Sequence, residues 1–461
     1  GGLERARIAP AVTEAPHLAR RLLAAGGGDV RSTLELPLQR RVNEILRRHL
    51  LSIRAKNAHD AAALVVDNAS GEVLAYAGGL GDLASDRFVD GVRAPRQAGS
   101  TLKPFLYGLA IDRRLLTASS LIDDSPVEIQ VGPGVYRPQN FDKEFHGQVT
   151  VRTALASSLN VPAVKALHLV GVERFAGWLR DAGFGTLERD DFYGPSLALG
   201  AVDVTLWDLV GAYRGLARQG EVSPLRAGLG APVPPSRRVL SREAAYVVAS
   251  MLSDRESREL TFGLESPLAS RFWTAVKTGT SKDMRDNWCV GFSARYTVGV
   301  WVGNASGAPM WNVTGVTGAA PVWAEIMNLL HGAQGPGALA SREPGAPPGV
   351  EWSAPPVGRL REVYLRGTEP GSSRVARAPV KILYPGRELV IALDPDIPDE
   401  NQRLFFEASE YRADYHWVLD RAPLGAASAA LAWSPQGRGP HRLQLMDARG
   451  ETLDEVSFSV K

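Results

Sequence analysis

The chain has 461 residues, more than a usual single core holds, so one large and one small domain are expected. Its 44% hydrophobic and 22% charged residues describe a globular protein, and 52 basic against 50 acidic side chains leave a formal charge of +2, which excludes a strong field for nucleic acid. The lone cysteine, Cys289, excludes an intrachain disulfide without deciding the compartment.

No stretch approaches about 18 consecutive apolar residues, and the opening GGLERARIAP has no apolar signal segment. The expectation is therefore a cytosolic protein or one anchored by a segment upstream of residue 1. Residues 1–58 read as a connecting segment, in which TLELPLQRRVNEILRRHL is a short strand and then an amphipathic helix with Leu38, Val42, Ile45 and Leu46 on one face. AAALVVDNASGEVLAYAGG follows as a hairpin of two apolar strands around the turn from Asp67 to Gly71.

Residues 95–255 are helical in pattern: VRTALASSLNVPAVKALHLVG and LWDLVGAYRGLARQG repeat apolar residues at three and four spacing and end on glycine. WTAVKTGTS, NWCVGFS and YTVGVWVGN then read as strands, and PVWAEIMNLLHG as a closing helix. Strands at both ends of a helical middle predict one domain over 59–332 whose first and last strands share a sheet. The stretch GAQGPGALASREPGAPPGVEWSAPP, residues 332–356, is too rich in Pro and Gly to hold helix or strand, so 333–374 reads as a linker. Beyond it, 375–461 carries short alternating strands and predicts a small all-β sandwich domain. The fold class is α+β.

RQAGSTLKPF, residues 96–105, sets Ser100 and Lys103 three apart at a helix start, on one face. Pro104 fits only the first helical turn, where amide hydrogens lack partners. The positive helix end favours a developing alkoxide at Ser100 and disfavours a second charge on Lys103, which works as a base only when neutral. The plain alternative is chance: a chain this long holds roughly one or two Ser-x-x-Lys matches by composition alone.

Two further stretches bear on that choice. Ser158-Leu159-Asn160 places a hydroxyl and an amide where they can relay a proton and hold a substrate amide; the alternative is a helix cap before Pro162. Lys277-Thr278-Gly279-Thr280 ends an apolar strand. Gly279 lets another backbone lie close, so substrate can add to the strand edge. Lys277 and Thr278 can hold a carboxylate, and the Thr280 and Ser100 amides can form an oxyanion hole. The alternative there is a solvated strand end.

Ser-x-x-Lys, Ser-x-Asn and Lys-Thr-Gly each occur once, in that order, which is the signature of penicillin-binding proteins and serine β-lactamases. The wider text resembles the transpeptidase domain of class A penicillin-binding proteins over residues 60–332, in RQAGSTLKPFLYGLA, RPQNFDKEFHGQVTVRTALASSLNVPAVK, PSLALGAVDVTLWDLVGAYRGLARQG and VKTGTSKDMRDNWCVGFSARYTVGVWVGN. ALDPDIPDENQRLFFEAS and WSPQGRGPHRLQLMDARG resemble the terminal domain of the 1C type.

The resemblance implies a β-lactamase/transpeptidase-like fold, a five-stranded antiparallel sheet flanked by helices. It implies a peptidoglycan D,D-transpeptidase in which Ser100 attacks the penultimate D-alanine of a D-Ala-D-Ala stem peptide and Lys103 takes the serine proton. Ser158 passes a proton to the leaving amine, Asn160 binds the substrate side, and Lys277, Thr278 and Thr280 hold the carboxylate end. An amine of a neighbouring stem then resolves the acyl-enzyme, and β-lactams acylate Ser100 instead. No cofactor and no metal are implied. The glycosyltransferase domain and membrane anchor of the class are not visible, so a fragment from the periplasmic face of the inner membrane is expected, with FDKEFHG a loop of the transpeptidase region.

His146 and His168 read as surface or packing residues and Cys289 as buried and inert. Trp178, Trp207, Trp288, Trp301 and Trp323 read as core, with Trp288 or Trp311 able to line the cleft. Asp283 and Arg285 either shape its rim or are solvated. Hydrolysis, as β-lactamase or D,D-carboxypeptidase, is the first competing reading; no Glu-x-x-Leu-Asn stretch supplies a deacylating base between the second and third motifs. A scaffold is the second, retained for the C-terminal domain with a protein or glycan partner.

Overall fold

Long runs of apolar residues such as AAALVV make sense only in a strand covered on both faces, and the computed structural model places them so. It describes residues 14–26, 29–131, 134–187, 193–332, 341–372, 380–386, 389–393, 402–408, 411–428, 430–435 and 437–461. Helices α1 (Pro16–Gly26) and α2 (Leu36–Ile53) precede the hairpin β1 (Asp60–Asp67) and β2 (Val73–Ala77). A helical middle follows: α3 (Lys103–Asp112), α4 (Val151–Ala156), α5 (Asn160–Val170), α6 (Val172–Ala182), α7 (Leu206–Ala217) and α8 (Arg242–Ser253). Strands β3 (Ala275–Thr280), β4 (Asp286–Phe292) and β5 (Tyr296–Gly303) and helix α9 (Ala320–His331) close the domain.

The sheet runs β3-β4-β5-β1-β2, antiparallel throughout, so the first strand of the domain pairs with the last, Asp60 opposite Gly303 and Asp67 opposite Tyr296. Alternation sorts its side chains between two cores. Ala62, Leu64 and Val66 of β1, with Trp288, Val290 and Phe292 of β4, face the large core under α3, α5, α7 and α8. Ala61, Ala63 and Val65, with Cys289, face the core made with α2 and α9, where Leu38, Val42, Ile45 and Leu46 pack as the helical spacing requires. At Gly299 a side chain would meet Val210 and Leu206 of α7 within 2.7 Å, which lets that helix lie directly on the sheet.

Two expectations change. The short strand expected before α2 is a single bridge, Ser32 to Gly228; Pro37 in the first helical turn starts the helix at Leu36 instead. The stretch 332–356, read as unable to form a strand, contributes β6 (Val350–Ser353), paired with β7 (Glu362–Leu365). Val363 and Leu365 enter the large core, and the Arg152 guanidinium bonds both oxygens of Glu362, one at 2.7 Å, while lying 3.2 Å from Asp254. That buried ion cluster holds the hairpin against α4 and α8. Residues 333–340 and 373–379 of the expected linker lie outside the described residues.

The C-terminal strands form two sheets. One joins β8 (Ile382–Tyr384), β10 (Leu404–Ala408) and β13 (Leu431–Trp433); the other runs from β9 (Leu389–Ile391) through β15 (Thr452–Val460), β14 (Gly439–Met446) and β11 (His416–Leu419) to β12 (Ala422–Ala426). Phe406, Trp417, Leu443, Leu445, Val456 and Phe458 fill the space between them. Among the described residues, no helix is long and apolar enough to cross a membrane.

Candidate active site

The Ser-x-x-Lys segment begins as a tight turn. Residues Gly99–Leu102 form a 3-10 turn, and α3 opens at Lys103 with Pro104 in its first turn. Gly99 has φ +55°, and a side chain on it would stand 2.7 Å from the Thr280 carbonyl oxygen. Its amide donates to Gly200 O at 3.1 Å, and Gly200 itself has φ +71°. Three backbones thus meet where only glycine fits, which seats the serine turn against the end of β3.

Gly279 serves the same contact. A side chain there would lie 2.7 Å from Thr101 and 2.9 Å from Ala98 O, so its missing Cβ makes room for the protein's own turn rather than for a substrate backbone. The edge remains open for pairing all the same, because β3 is the outermost strand of the sheet.

Lys103 is fully buried and donates to Ser158 O at 2.6 Å, Leu159 O at 3.0 Å and Asn160 Oδ1 at 2.6 Å. Three acceptors match the three hydrogens of an ammonium. Burial first, and the Lys277 charge second, nevertheless hold this amine well below the usual lysine value, while Asp124 pulls the other way. Lys277 donates to Ser158 Oγ at 2.7 Å and to Thr278 O at 3.0 Å, and burial brings it from 10.5 down to about 7. Ser158 stands between the two lysines. It follows the end of α4 with φ +62°, a left-handed conformation that turns its carbonyl to one lysine and its hydroxyl to the other.

Asn160 is the first residue of α5; its Nδ2 donates one hydrogen to Gln139 O at 2.7 Å and keeps a second. Ser100, Ser158, Asn160, Thr278, Gly279 and Thr280 all line a cleft of about 600 Å³, with Lys103 and Lys277 buried behind its wall. The Thr280 hydroxyl accepts from the Gly315 amide at 3.0 Å, so a loop at 314–317 forms the far lip. Tyr136, Phe141 and Phe262 give it apolar walls.

Of the aromatic residues singled out from sequence, Trp288 is buried beneath the site and donates to Gln97 O at 2.9 Å, whereas Trp311 is exposed and stands away from the cleft lining. Trp301 donates to Asp286 at 3.0 Å, Cys289 is buried, and Asp283 and Arg285 pair at 3.5 Å beside a second hollow that adjoins the cleft through Gln97, Ser281 and Lys282. Gln97, Asn140 and Thr317 of the cleft escape sequence reasoning, for nothing in their spacing sets them apart from ordinary loop residues.

The family described as penicillin binding protein transpeptidase domain matches residues 61–328, more than half of the chain, from the first sheet strand to the closing helix. The chain belongs to this family. A second family, penicillin-binding protein C-terminus, matches residues 369–458 of this transpeptidase-family protein. Penicillin-binding protein 1C of Escherichia coli is 36% identical over 321 residues, covering 68% of the chain and 40% of the relative. Penicillin-binding protein 1A of Neisseria meningitidis is 31% identical over 301 residues, covering 60% and 36%. The chain thus spans two fifths or less of the length of these two curated relatives. Among solved structures, PonA1 of Mycobacterium tuberculosis superposes with a TM-score of 0.60 at 20% identity over 72% of the chain and 94% of its own. Penicillin-binding protein 1A of Haemophilus influenzae does so with 0.58 at 23%, over 68% and 54%.

Proposed function

We propose that the chain is a serine D,D-transpeptidase of peptidoglycan, acting at the periplasmic face of the inner membrane. The observation that carries this reading is the meeting of both buried lysines on Ser158, beside the serine turn and at the open edge of β3.

A D-Ala-D-Ala stem laid along β3 presents its carboxylate to Lys277, Thr278 and Thr280, and its side to the spare Asn160 Nδ2 hydrogen. Ser100 Oγ attacks the penultimate carbonyl while Lys103, turning a lone pair from one of its three acceptors, takes the hydroxyl proton. The Ser100 and Thr280 amides stabilise the oxyanion. Breaking the peptide bond sends a proton through Ser158 to the departing D-alanine amine. The amine of a second stem then attacks the ester, re-forming the Ser100 hydroxyl and leaving the cross-link. A β-lactam carries an acyl bond and a carboxylate of the same disposition and stops at the acyl-enzyme.

Hydrolysis needs a base held against water on the ester. Among the described residues lining the cleft, Asp142 is the one carboxylate; it is exposed and accepts from the Glu144 amide at 3.0 Å. That favours a long-lived acyl-enzyme. The C-terminal sandwich is proposed to contact a protein or glycan partner of the cell wall.

A fluorescent penicillin tests the central claim. The expected outcome is an adduct on Ser100, located by peptide mass, that persists for many minutes and is absent in Ser100→Ala. No adduct on the folded chain would overturn the reading, and rapid turnover would move it to a hydrolase.

A further inference from the structure

Behind the cleft lies a buried carboxylate that the mechanism above does not use. Asp124 ends a short strand, Leu121–Asp124, that pairs with Gly147–Thr150, and it is wholly excluded from solvent. Both of its oxygens accept from Asn140 Nδ2, at 3.0 and 2.7 Å, and one also accepts from the His146 amide at 3.0 Å. The same Asn140 side chain turns its Oδ1 to the Asn160 amide at 2.7 Å and gives its Nδ2 to Glu144 O at 2.8 Å.

The Asn160 amide opens α5 and has no partner within its own helix. Asn140 supplies that partner from twenty residues away, and so fixes the residue whose Oδ1 receives Lys103. Asn140 is itself nearly buried, and its amide group has one orientation that serves Asp124 and Asn160 together. A continuous chain of hydrogen bonds therefore runs from Asp124 through Asn140 and Asn160 to Lys103.

We propose that Asp124 and Asn140 are positioning residues for acylation: Asn140 holds Asn160 and thereby Lys103 in place, and the buried charge of Asp124 acts on Lys103 through space. This rests on Lys103 being the base for Ser100. Lys103 is faced by Lys277 from β3, by Asp124 from the strand ending at 124, and lies one turn from Tyr107 on its own helix, whose buried hydroxyl also feels Asp124. Burial and Lys277 favour the neutral amine, and Asp124 opposes both. A base driven too far toward the neutral form is too weak to draw the serine proton, so a counter-charge that steadies the ammonium keeps that transfer within reach.

The test is the second-order rate of labelling by a fluorescent penicillin as a function of pH, with thermal melting of each chain. In Asp124→Asn the opposing charge is gone, so Lys103 loses its proton more readily. The acid limb of the profile is expected to move to lower pH, and the rate at the optimum to fall. In Asn140→Ala the charge stays, so the rate is expected to fall roughly 10–100-fold with its acid limb in place. A folded Asp124→Asn chain whose acid limb stays put overturns the electrostatic role. A folded Asn140→Ala chain that labels at the wild-type rate overturns the positioning role, and decides the matter alone if Asp124→Asn does not fold. Failure of the wild-type chain to label at Ser100 would instead sink the acylation reading itself.

Discussion

The transpeptidase-family body and the C-terminal sandwich are both built by packing layers about apolar cores, yet they treat charge in opposite ways. The body buries Lys103, Lys277, Arg152, Arg214 and Arg258, with Asp124 and Glu362. Among the described residues of the sandwich the one buried charged side chain is Asp454, which accepts from the Ile382 amide at 2.9 Å and pairs with Lys381 at 3.1 Å at its margin. Taking an ion out of water costs several kcal/mol even when it finds a partner. A domain that does so repeatedly is trading stability for chemistry or for fixed geometry, and in the body the two lysines at Ser158 serve the first under the proposed mechanism and Arg152 the second. The sandwich carries almost none of that cost, as suits a domain whose proposed work is contact.

Paired truncations give the largest test of this contrast. Trp417→Ala removes a wholly buried ring and is expected to cost the sandwich about 3–5 kcal/mol while leaving penicillin labelling unchanged. Glu362→Ala leaves Arg152 with Asp254 as its one carboxylate partner, beside the Ser250 oxygens, and is expected to cost the body about 3 kcal/mol. Denaturant unfolding with labelling as the readout for the body checks both. If Glu362→Ala left labelling at its wild-type resistance to denaturant, the hairpin would belong to the second domain and the comparison would break.

Lys277 sharpens the point about cost. In the unfolded chain it keeps its proton up to about 10.5, in the folded chain only up to about 7, so across that window the unfolded state binds more protons and native stability rises with pH. Below the window the buried charge is fully present. Lys277→Met should therefore abolish labelling yet raise stability, on the order of 1–3 kcal/mol near and below neutrality, with the gain fading as pH climbs toward 10.5. Melting temperatures of both chains across that range would show it; a gain independent of pH would mean that packing, not charge, is responsible.

The smallest effect on stability is expected at Ser158. A side chain at φ +62° is strained by roughly 1 kcal/mol relative to glycine, so Ser158→Gly should melt slightly higher and label about 100-fold more slowly. Equal or lower stability would imply that the bond from Lys277 outweighs the strain.

Much of this arrangement is legible in the sequence because it is local. Helix spacing, two-residue alternation and the order of three short motifs are all contained within windows of a few residues, and β1, β3 and α5 follow from them. What escapes is whatever depends on chain segments meeting. Asn140 sits in a loop text with no periodicity, and only the return of the chain brings it to Asn160. Glu362 follows a run of Pro and Gly that masks a strand; EVYL, with its branched and aromatic residues, is the signal that was present there. Gly279 was legible as a close-approach site, but which backbone approaches is a matter of packing.

The conformation of Ser158 has a consequence for how such chains change over generations. Selection for folding alone would exchange this residue for glycine, and selection for the proposed chemistry alone would hold it. Position 158 is therefore a place where the two pressures oppose each other within a single residue. A descendant released from catalysis would be expected to let go there early, gaining stability in a single substitution, while the rest of the body kept its shape.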